Sequence, residues 1–145
     1  MAIQFIIIMN RQGKARVSRW FSSYSDSEKL KLKSQVHKLV SSRDHKHQSN
    51  FVEFNDNSKL VYKRFAGLFI VFSVDLSDND LIYLESIQLF VEVLDLYFGN
   101  VCALDIVFNF SKVYSIVDEM YLGGEIEETS RNVILERVRC CEKFD

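Results

Sequence analysis

Four basic side chains lie close together near the N-terminus of a chain whose net charge is only −2: Arg11, Lys14, Arg16 and Arg19. The planar guanidinium fork of Arg matches the geometry of a carboxylate, so such a cluster can form a local site for one acidic group. Basic residues spaced along a strand are equally typical of a solvated face. The residue types alone leave both interpretations open.

The histidines are the only concentration of possible metal ligands. His45 and His47 lie two positions apart, next to Asp44, in a polar stretch. No cysteine and no second carboxylate stands at ligand spacing from them, whereas a zinc site needs three or four such donors. We therefore expect no metal and no other cofactor.

Catalytic motifs are equally absent from the sequence. Gly13 and Lys14 resemble the end of a phosphate-binding loop, but Ala15 stands where that loop needs Ser or Thr. Cys102 has no base within a recognisable local signature for a nucleophile. Carboxylates such as Asp118 are typical of helix surfaces. We expect that the chain is not an enzyme.

Composition indicates one compact soluble domain over residues 1–145, since 48% of the residues are hydrophobic and 26% are charged. Eighteen basic against 20 acidic residues remove the general attraction that nucleic-acid binders use. Three cysteines without a C-x-x-C pair fit a reducing compartment. Acidic residues interrupt the longest apolar stretch, so we expect membrane contact only through partner chains.

Hydrophobic periodicity predicts two strands, a helix and three further strands in the first half of the chain. The unbroken run Ile6 to Ile8 is typical of a strand covered on both faces. A Ser25 or Asp26 cap precedes a one-faced helical pattern. The predicted elements are strands Gln4–Met9 and Lys14–Phe21, helix Asp26–Ser42, and strands Phe51–Phe54, Lys59–Phe65 and Leu68–Leu76.

The second half of the chain reads as three helices. The first, Leu81–Phe98, is apolar nearly all round, so one side of it needs a partner. The second runs from Leu104 to Met120 and is closed by Gly123 and Gly124, and the third begins after Thr129 or Ser130. The order ββαβββααα predicts the α+β class, a five-stranded antiparallel sheet with helices on both faces. An aromatic excess also predicts a protein-protein surface.

Several strings together resemble a known family over essentially the whole chain: FIIIMNRQGKARVSRWF, RDHKHQSNFVEF, YKRFAGLFIVFSVD and FVEVLDLYFGNVCALDIVFNFSKVYSIVDEMYLGGEI. They are similar to the small (sigma) subunits of clathrin-associated adaptor complexes, and the second string looks most like the plasma-membrane complex. The resemblance implies a longin-like fold. It also implies a heterotetramer with an alpha-type large chain, a beta-type large chain and a medium mu-type chain at coated pits, with clathrin engaged indirectly.

The same resemblance implies a cargo-signal site for acidic dileucine motifs, in which an acidic residue stands four positions before the first leucine. By residue matching, Arg16 faces the acidic side chain. The matched lining for the two leucines comprises Ala66, Leu68, Val91, Asn100, Val101, Leu104 and Ile106. Read without the resemblance, this apolar stripe is indistinguishable from ordinary core.

Two alternatives remain from other classes. A longin-type membrane fusion protein would need a heptad-bearing coiled segment and an anchor after the domain, and the sequence shows neither. An enzyme is supported only by unassigned carboxylates and Cys102. The adaptor interpretation accounts for more of the sequence than either.

Overall fold

The computed structural model describes residues 3–42, 51–55, 57–65, 67–99 and 101–142. Its main sheet has five antiparallel strands in the order β2-β1-β5-β4-β3. This confirms the predicted sheet to within one residue at each strand end, and the strand order is consistent with a longin-like fold. The strands are β1 (Ile3–Asn10), β2 (Ala15–Trp20), β3 (Phe51–Glu53), β4 (Ser58–Phe65) and β5 (Leu68–Asp75).

Both faces of the sheet are covered, as the Ile6 to Ile8 run predicts. Ile7 points to the side of α1 (Asp26–Ser41), where it packs with Val36 and Val40. Ile6 and Ile8 lie in a larger apolar cluster on the opposite face. Because strand side chains alternate, one continuous apolar run serves both layers.

Helix α1 begins where its capping residues predict. The Ser25 hydroxyl accepts from the Glu28 backbone N–H, and the Glu28 carboxylate accepts in return from the Ser25 N–H. This reciprocal pair satisfies donors that the first turn leaves without a partner.

The opposite layer of helices begins with α2 (Asp80–Phe98), which is capped by Asn79 and ends at Gly99 in a left-handed conformation. Its inner side chains, among them Phe90 and Leu94, are fully buried. Its outer side remains partly apolar, as predicted. The exposed large side chains there are Leu81, Ile82 and Leu96.

The predicted single helix from Leu104 to Met120 is instead two helices, α3 (Ala103–Phe108) and α4 (Phe110–Met120). They separate at Asn109, whose side-chain Nδ2 and backbone N–H both donate to the Asp105 carbonyl. An Asn side chain that competes for helical carbonyls in this way favours a break.

A short hairpin also replaces the predicted helix closure. Gly123 and Gly124 have φ of 57° and 89° and join β6 (Tyr121–Leu122) to β7 (Glu125–Ile126). Positive φ at two successive residues is what a tight hairpin turn requires. Helix α5 (Arg131–Glu142) follows and packs against α2 and α4.

Candidate functional site

Arg16 occupies an irregular position in edge strand β2. Ile8 of β1 pairs with Val17 of β2, and the next residue of β1, Met9, pairs with Ala15. Arg16 therefore has no paired residue on β1. It is therefore the inserted residue of a β-bulge, a feature that re-aims side chains at sheet edges. Arg16 is half-buried, and its Nε is buried without a hydrogen-bond partner.

Arg19, three residues further along β2, is already engaged. Its Nη2 donates to Asp118 Oδ2 at 2.9 Å, and its guanidinium lies 4.7 Å from the ring centre of Tyr114. Within the described residues Arg16 has no corresponding carboxylate. Arg19 therefore has a carboxylate partner within the chain, although its Nε, like that of Arg16, is buried without a hydrogen bond. The Arg16 guanidinium remains available to an external carboxylate.

Edge strand β2 is held in place by α4. The hydroxyl of Tyr114 accepts from the Ser18 backbone N–H at 2.9 Å and donates to the Ser18 carbonyl at 3.0 Å. These are the groups that an edge strand otherwise leaves without a ladder partner. Neither the bulge nor this contact was found from the sequence, because no periodic pattern reports a one-residue insertion or a bond between residues 96 positions apart.

Four of the apolar residues matched to the signal pocket lie in one cluster on the face covered by α2 to α5. The buried members of this group are Leu68, Val91, Val101 and Ile106, none more than 8% exposed. Leu104 is different, because it lies on α3 with 62% of its surface exposed. Ala66 and Asn100 fall outside the described residues.

Two aspartates fix the turn from α2 into α3. Asp95 Oδ1 accepts from the Val101 backbone N–H at 3.0 Å, and Asp105 Oδ2 accepts from the Cys102 N–H at 2.9 Å. The first bond ties the turn to α2, and the second satisfies the start of α3. Together they position Leu104 at the surface beside the buried cluster.

The sheet register brings Arg16 and Leu68 to the same end of the sheet. Met9 pairs with Ala15 on one side and with Phe69 on the other, so β1 separates the two site residues. Two strand spacings and an offset of one to two residues put their Cα atoms roughly 11 Å apart. A cationic side chain and an apolar cluster are therefore neighbouring but distinct places.

Two tyrosines with raised pKa values belong to the helical layer and its hairpin. Burial raises the pKa of Tyr121, which shares a hydrogen bond of 2.6 Å with the Ser86 hydroxyl. Burial also raises the pKa of Tyr83, whose hydroxyl donates to Asp78. Both tyrosines lie in the helical layer and its hairpin, where they hold elements together.

No group of three or more His, Cys, Asp or Glu side chains suited to a metal ion occurs in the described part of the chain. His45 and His47, the weighed candidates, lie outside it. Cys102 and Cys140 are free and exposed. None of the described helices combines the length and apolar composition of a bilayer span.

A second surface feature lies on the outer side of α2. A cavity of about 410 Å³ opens between α2, β7 and the segment before α5. Ile82, Leu89 and Ile126 give it apolar walls, and Leu81 is exposed nearby. This is the surface that the all-round apolar pattern of α2 predicts for a protein partner.

Known families and structures match the whole chain. The family model for the clathrin adaptor complex small chain matches residues 2–145. The AP-2 complex subunit sigma of Aspergillus fumigatus is 58% identical over 145 residues and covers 100% of both chains. That of Saccharomyces cerevisiae is 56% identical over 147 residues, again covering 100% of both. A chain in a homology model of the full-length AP-3 complex in a stretched open conformation aligns with a TM-score of 0.76 at 29% identity, covering 98% of this chain and 94% of that one.

Proposed function

The chain belongs to the clathrin adaptor complex small chain family, and on that basis we propose that it binds acidic dileucine sorting signals. The signals lie in the cytoplasmic tails of transmembrane cargo taken up by clathrin-mediated endocytosis. Family membership makes the chain a trafficking protein and not an enzyme. It also sets aside the fusion-protein alternative.

The observation that supports the proposal is that Arg16 is half-buried and has no carboxylate partner among the described residues. Arg16 is half-buried on a bulge, and its Nε is buried without a hydrogen-bond partner. The Arg19 Nε is also unpartnered, but the Arg19 guanidinium is already paired with Asp118 through Nη2, whereas Arg16 has no such carboxylate among the described residues. A buried donor without a partner is costly, and an incoming carboxylate would satisfy it. Arg16 is therefore suited to receive the acidic residue of the signal.

The spacing of the signal agrees with the spacing of the site. Four residues of extended peptide span about 13 Å from the acidic residue to the first leucine. Arg16 and Leu68 lie roughly 11 Å apart in the sheet, and the arginine side chain reaches several ångströms beyond its Cα. One extended peptide can thus contact Arg16 and the edge of the apolar cluster together.

Leu104 supplies the accessible apolar contact for the leucines. It is exposed, whereas Leu68, Val91 and Val101 are almost fully covered. In this conformation a leucine contacts Leu104 first, and deeper insertion requires α3 or its neighbours to shift. Each leucine removed from water contributes about 1.5 to 3 kcal/mol before ordering costs.

We further propose that the chain stabilises the core of a heterotetramer with an alpha-type large chain, a beta-type large chain and a medium mu-type chain. The exposed apolar side chains Leu81, Ile82 and Leu96 on α2 support a permanent partner, and we assign this surface to the alpha-type chain. The relatives named AP-2 complex subunit sigma support the plasma-membrane complex. Its location is then the cytoplasmic side of coated pits, with clathrin bound through partner chains.

The test has two arms on native material. Affinity purification of a tagged chain should recover two large chains and one medium chain in equal amounts, measured by mass spectrometry. The purified complex should bind a peptide with an acidic dileucine signal and not the same peptide with both leucines changed to alanine. Recovery of the chain alone contradicts the assembly, and equal binding of the two peptides contradicts the cargo site.

A further inference from the structure

The charges of the chain are strongly segregated along the sequence. Residues 11–41 contain eight of the 18 Lys and Arg residues and only two of the 20 Asp and Glu residues. The chain as a whole has a net charge of −2, so this segment is strongly basic and the remainder is acidic. Only part of that basic charge belongs to the cargo site at Arg16.

The fold gathers the remaining basic charge on one surface. Lys31 and Lys38 are seven residues apart on α1 and exposed, on the side of the helix opposite the buried Val36 and Val40. The turn between β1 and β2 lies next to α1, because His37 Nε2 donates to the Arg11 carbonyl at 2.9 Å. The five exposed residues of this surface, called the basic face below, are Arg11, Lys14, Leu30, Lys31 and Lys38.

Leu30 distinguishes the basic face from an ordinary solvated surface. It is a large apolar side chain, 69% exposed, directly between Lys29 and Lys31. Lys29 itself lies within cation-π distance of the half-buried Trp20 ring. The two acidic residues of α1 are confined to its first turn. Lysines around a protruding apolar residue are typical of a helix that lies on an anionic membrane.

We propose that the basic face of α1 and the β1–β2 turn contacts the anionic cytoplasmic surface of the bilayer directly. This goes beyond the proposed function, which assigns no lipid contact to this chain, and it replaces the expectation from the sequence that membrane contact comes only through partner chains. It rests on the proposed cargo site only for orientation. Arg16 lies on the same hairpin as Arg11 and Lys14, and a cargo tail is tethered to the bilayer. Peptide binding at Arg16 therefore brings the basic face near lipid.

A bilayer fits this surface better than nucleic acid does. The basic face presents one apolar side chain and a broad spread of charge on a helix, and Leu30 gains from burial among acyl chains. Phosphate backbones offer Leu30 no comparable environment. We therefore commit to anionic lipid as the occupant.

The experiment uses the purified complex with phosphatidylcholine vesicles, with and without phosphatidylserine, and no cargo peptide. A photo-crosslinking amino acid replaces Leu30 in one sample. In the matched control it replaces Leu122, which is 66% exposed on β6. We expect a lipid adduct at position 30 only with phosphatidylserine, and none at position 122. An adduct to a partner polypeptide, or no adduct, overturns the proposal.

A second measurement tests the charges. Lys31→Gln with Lys38→Gln should weaken sedimentation with phosphatidylserine vesicles by about fivefold for each lysine at low salt. The control pair Arg64→Gln with Arg139→Gln makes the same charge change at exposed positions outside the basic face. If the two double variants lose vesicle binding equally, the basic face is not the specific site of lipid contact. Binding of a soluble dileucine peptide should be unchanged in both, so a failed cargo site gives a different result from a failed membrane contact.

Discussion

Tyr114 on α4 hydrogen-bonds both backbone groups of Ser18 on β2 through one hydroxyl, accepting at 2.9 Å and donating at 3.0 Å. The contact joins the helical layer to the edge strand two residues from Arg16. It also places the Tyr114 ring beneath the guanidinium of Arg19. The position of the bulge that bears Arg16 therefore depends on a side chain 98 residues away in the sequence.

Tyr114→Phe should destabilise the fold by about 1 to 3 kcal/mol, because it leaves two backbone groups of Ser18 without partners. Urea unfolding of the full chain measures this as a lower midpoint. Tyr97→Phe is the matched control, since the Tyr97 hydroxyl makes no hydrogen bond within the described residues. Equal midpoints for the two variants would show that the Tyr114 contact contributes nothing.

Asp118→Asn should raise affinity for an acidic dileucine peptide by about twofold at low salt. The substitution removes a negative charge that contacts β2 and releases Arg19, whose side chain in the pair with Asp118 is 35% exposed and that of Asp118 56%, so that the pair itself is weak. Glu127→Gln provides the same charge change at an exposed position on another segment. Titration calorimetry at two salt concentrations makes the comparison. A loss of affinity in Asp118→Asn would mean that the ion pair itself helps to hold the site.

Leu104→Ser should reduce dileucine peptide affinity about tenfold, because it removes the exposed apolar contact for the signal. Stability should change little, since the side chain is 62% exposed. Leu122→Ser removes a leucine of similar exposure on β6 and should leave binding unchanged. The two variants are compared in fluorescence anisotropy with labelled peptide. Wild-type affinity in Leu104→Ser would exclude this leucine from the site.

The stability of the fold should decrease at alkaline pH. Burial raises the pKa of Tyr121 in the folded state above the ordinary value of about 10. The stabilisation is therefore complete below pH ~10 and is lost as the pH rises further, because the unfolded state ionises first. The urea midpoint of Tyr121→Phe should fall less between pH ~9 and pH ~11 than that of the wild type. Parallel declines would contradict the assignment.

The sequence predicts those parts of the fold that depend on local pattern. The Ile6 to Ile8 run predicted a sheet covered on both faces, and Ser25 predicted the start of α1. The break at Asn109 could not be predicted, because a polar residue inside an apolar period is usually tolerated. There the side chain's competition for the Asp105 carbonyl outweighs the period.

The candidate site stays a prediction made by residue matching, and the sequence does not report which of its side chains are paired, buried or exposed. Arg16 and Arg19 look equivalent in the sequence, and only the folded chain pairs Arg19 with Asp118 and inserts Arg16 as a bulge. Leu104 and Ile106 likewise share one apolar stripe, yet one is exposed and the other fully buried. Contacts between residues distant in the sequence determine which arginine is paired and which apolar residue is exposed. The periodicity of the sequence does not report such contacts.

The central claim is that Arg16 contacts the acidic residue of a dileucine signal, and a double-mutant cycle tests it most directly. The assembled complex with Arg16 or with Arg16→Ala is titrated with a peptide whose signal has Asp or Ala at the acidic position. Lys14→Ala serves as the control, because it removes an exposed charge from the same hairpin.

If the contact exists, the Arg16→Ala substitution and the change of Asp to Ala in the peptide are coupled by about 0.5 to 1.5 kcal/mol in binding free energy at low salt. This coupling weakens as the salt concentration rises. Arg16→Ala then lowers affinity for the acidic peptide up to about tenfold and has little effect on the alanine peptide. Lys14→Ala shows little coupling. Additive losses for Arg16→Ala, with no coupling at either salt concentration, would contradict the account.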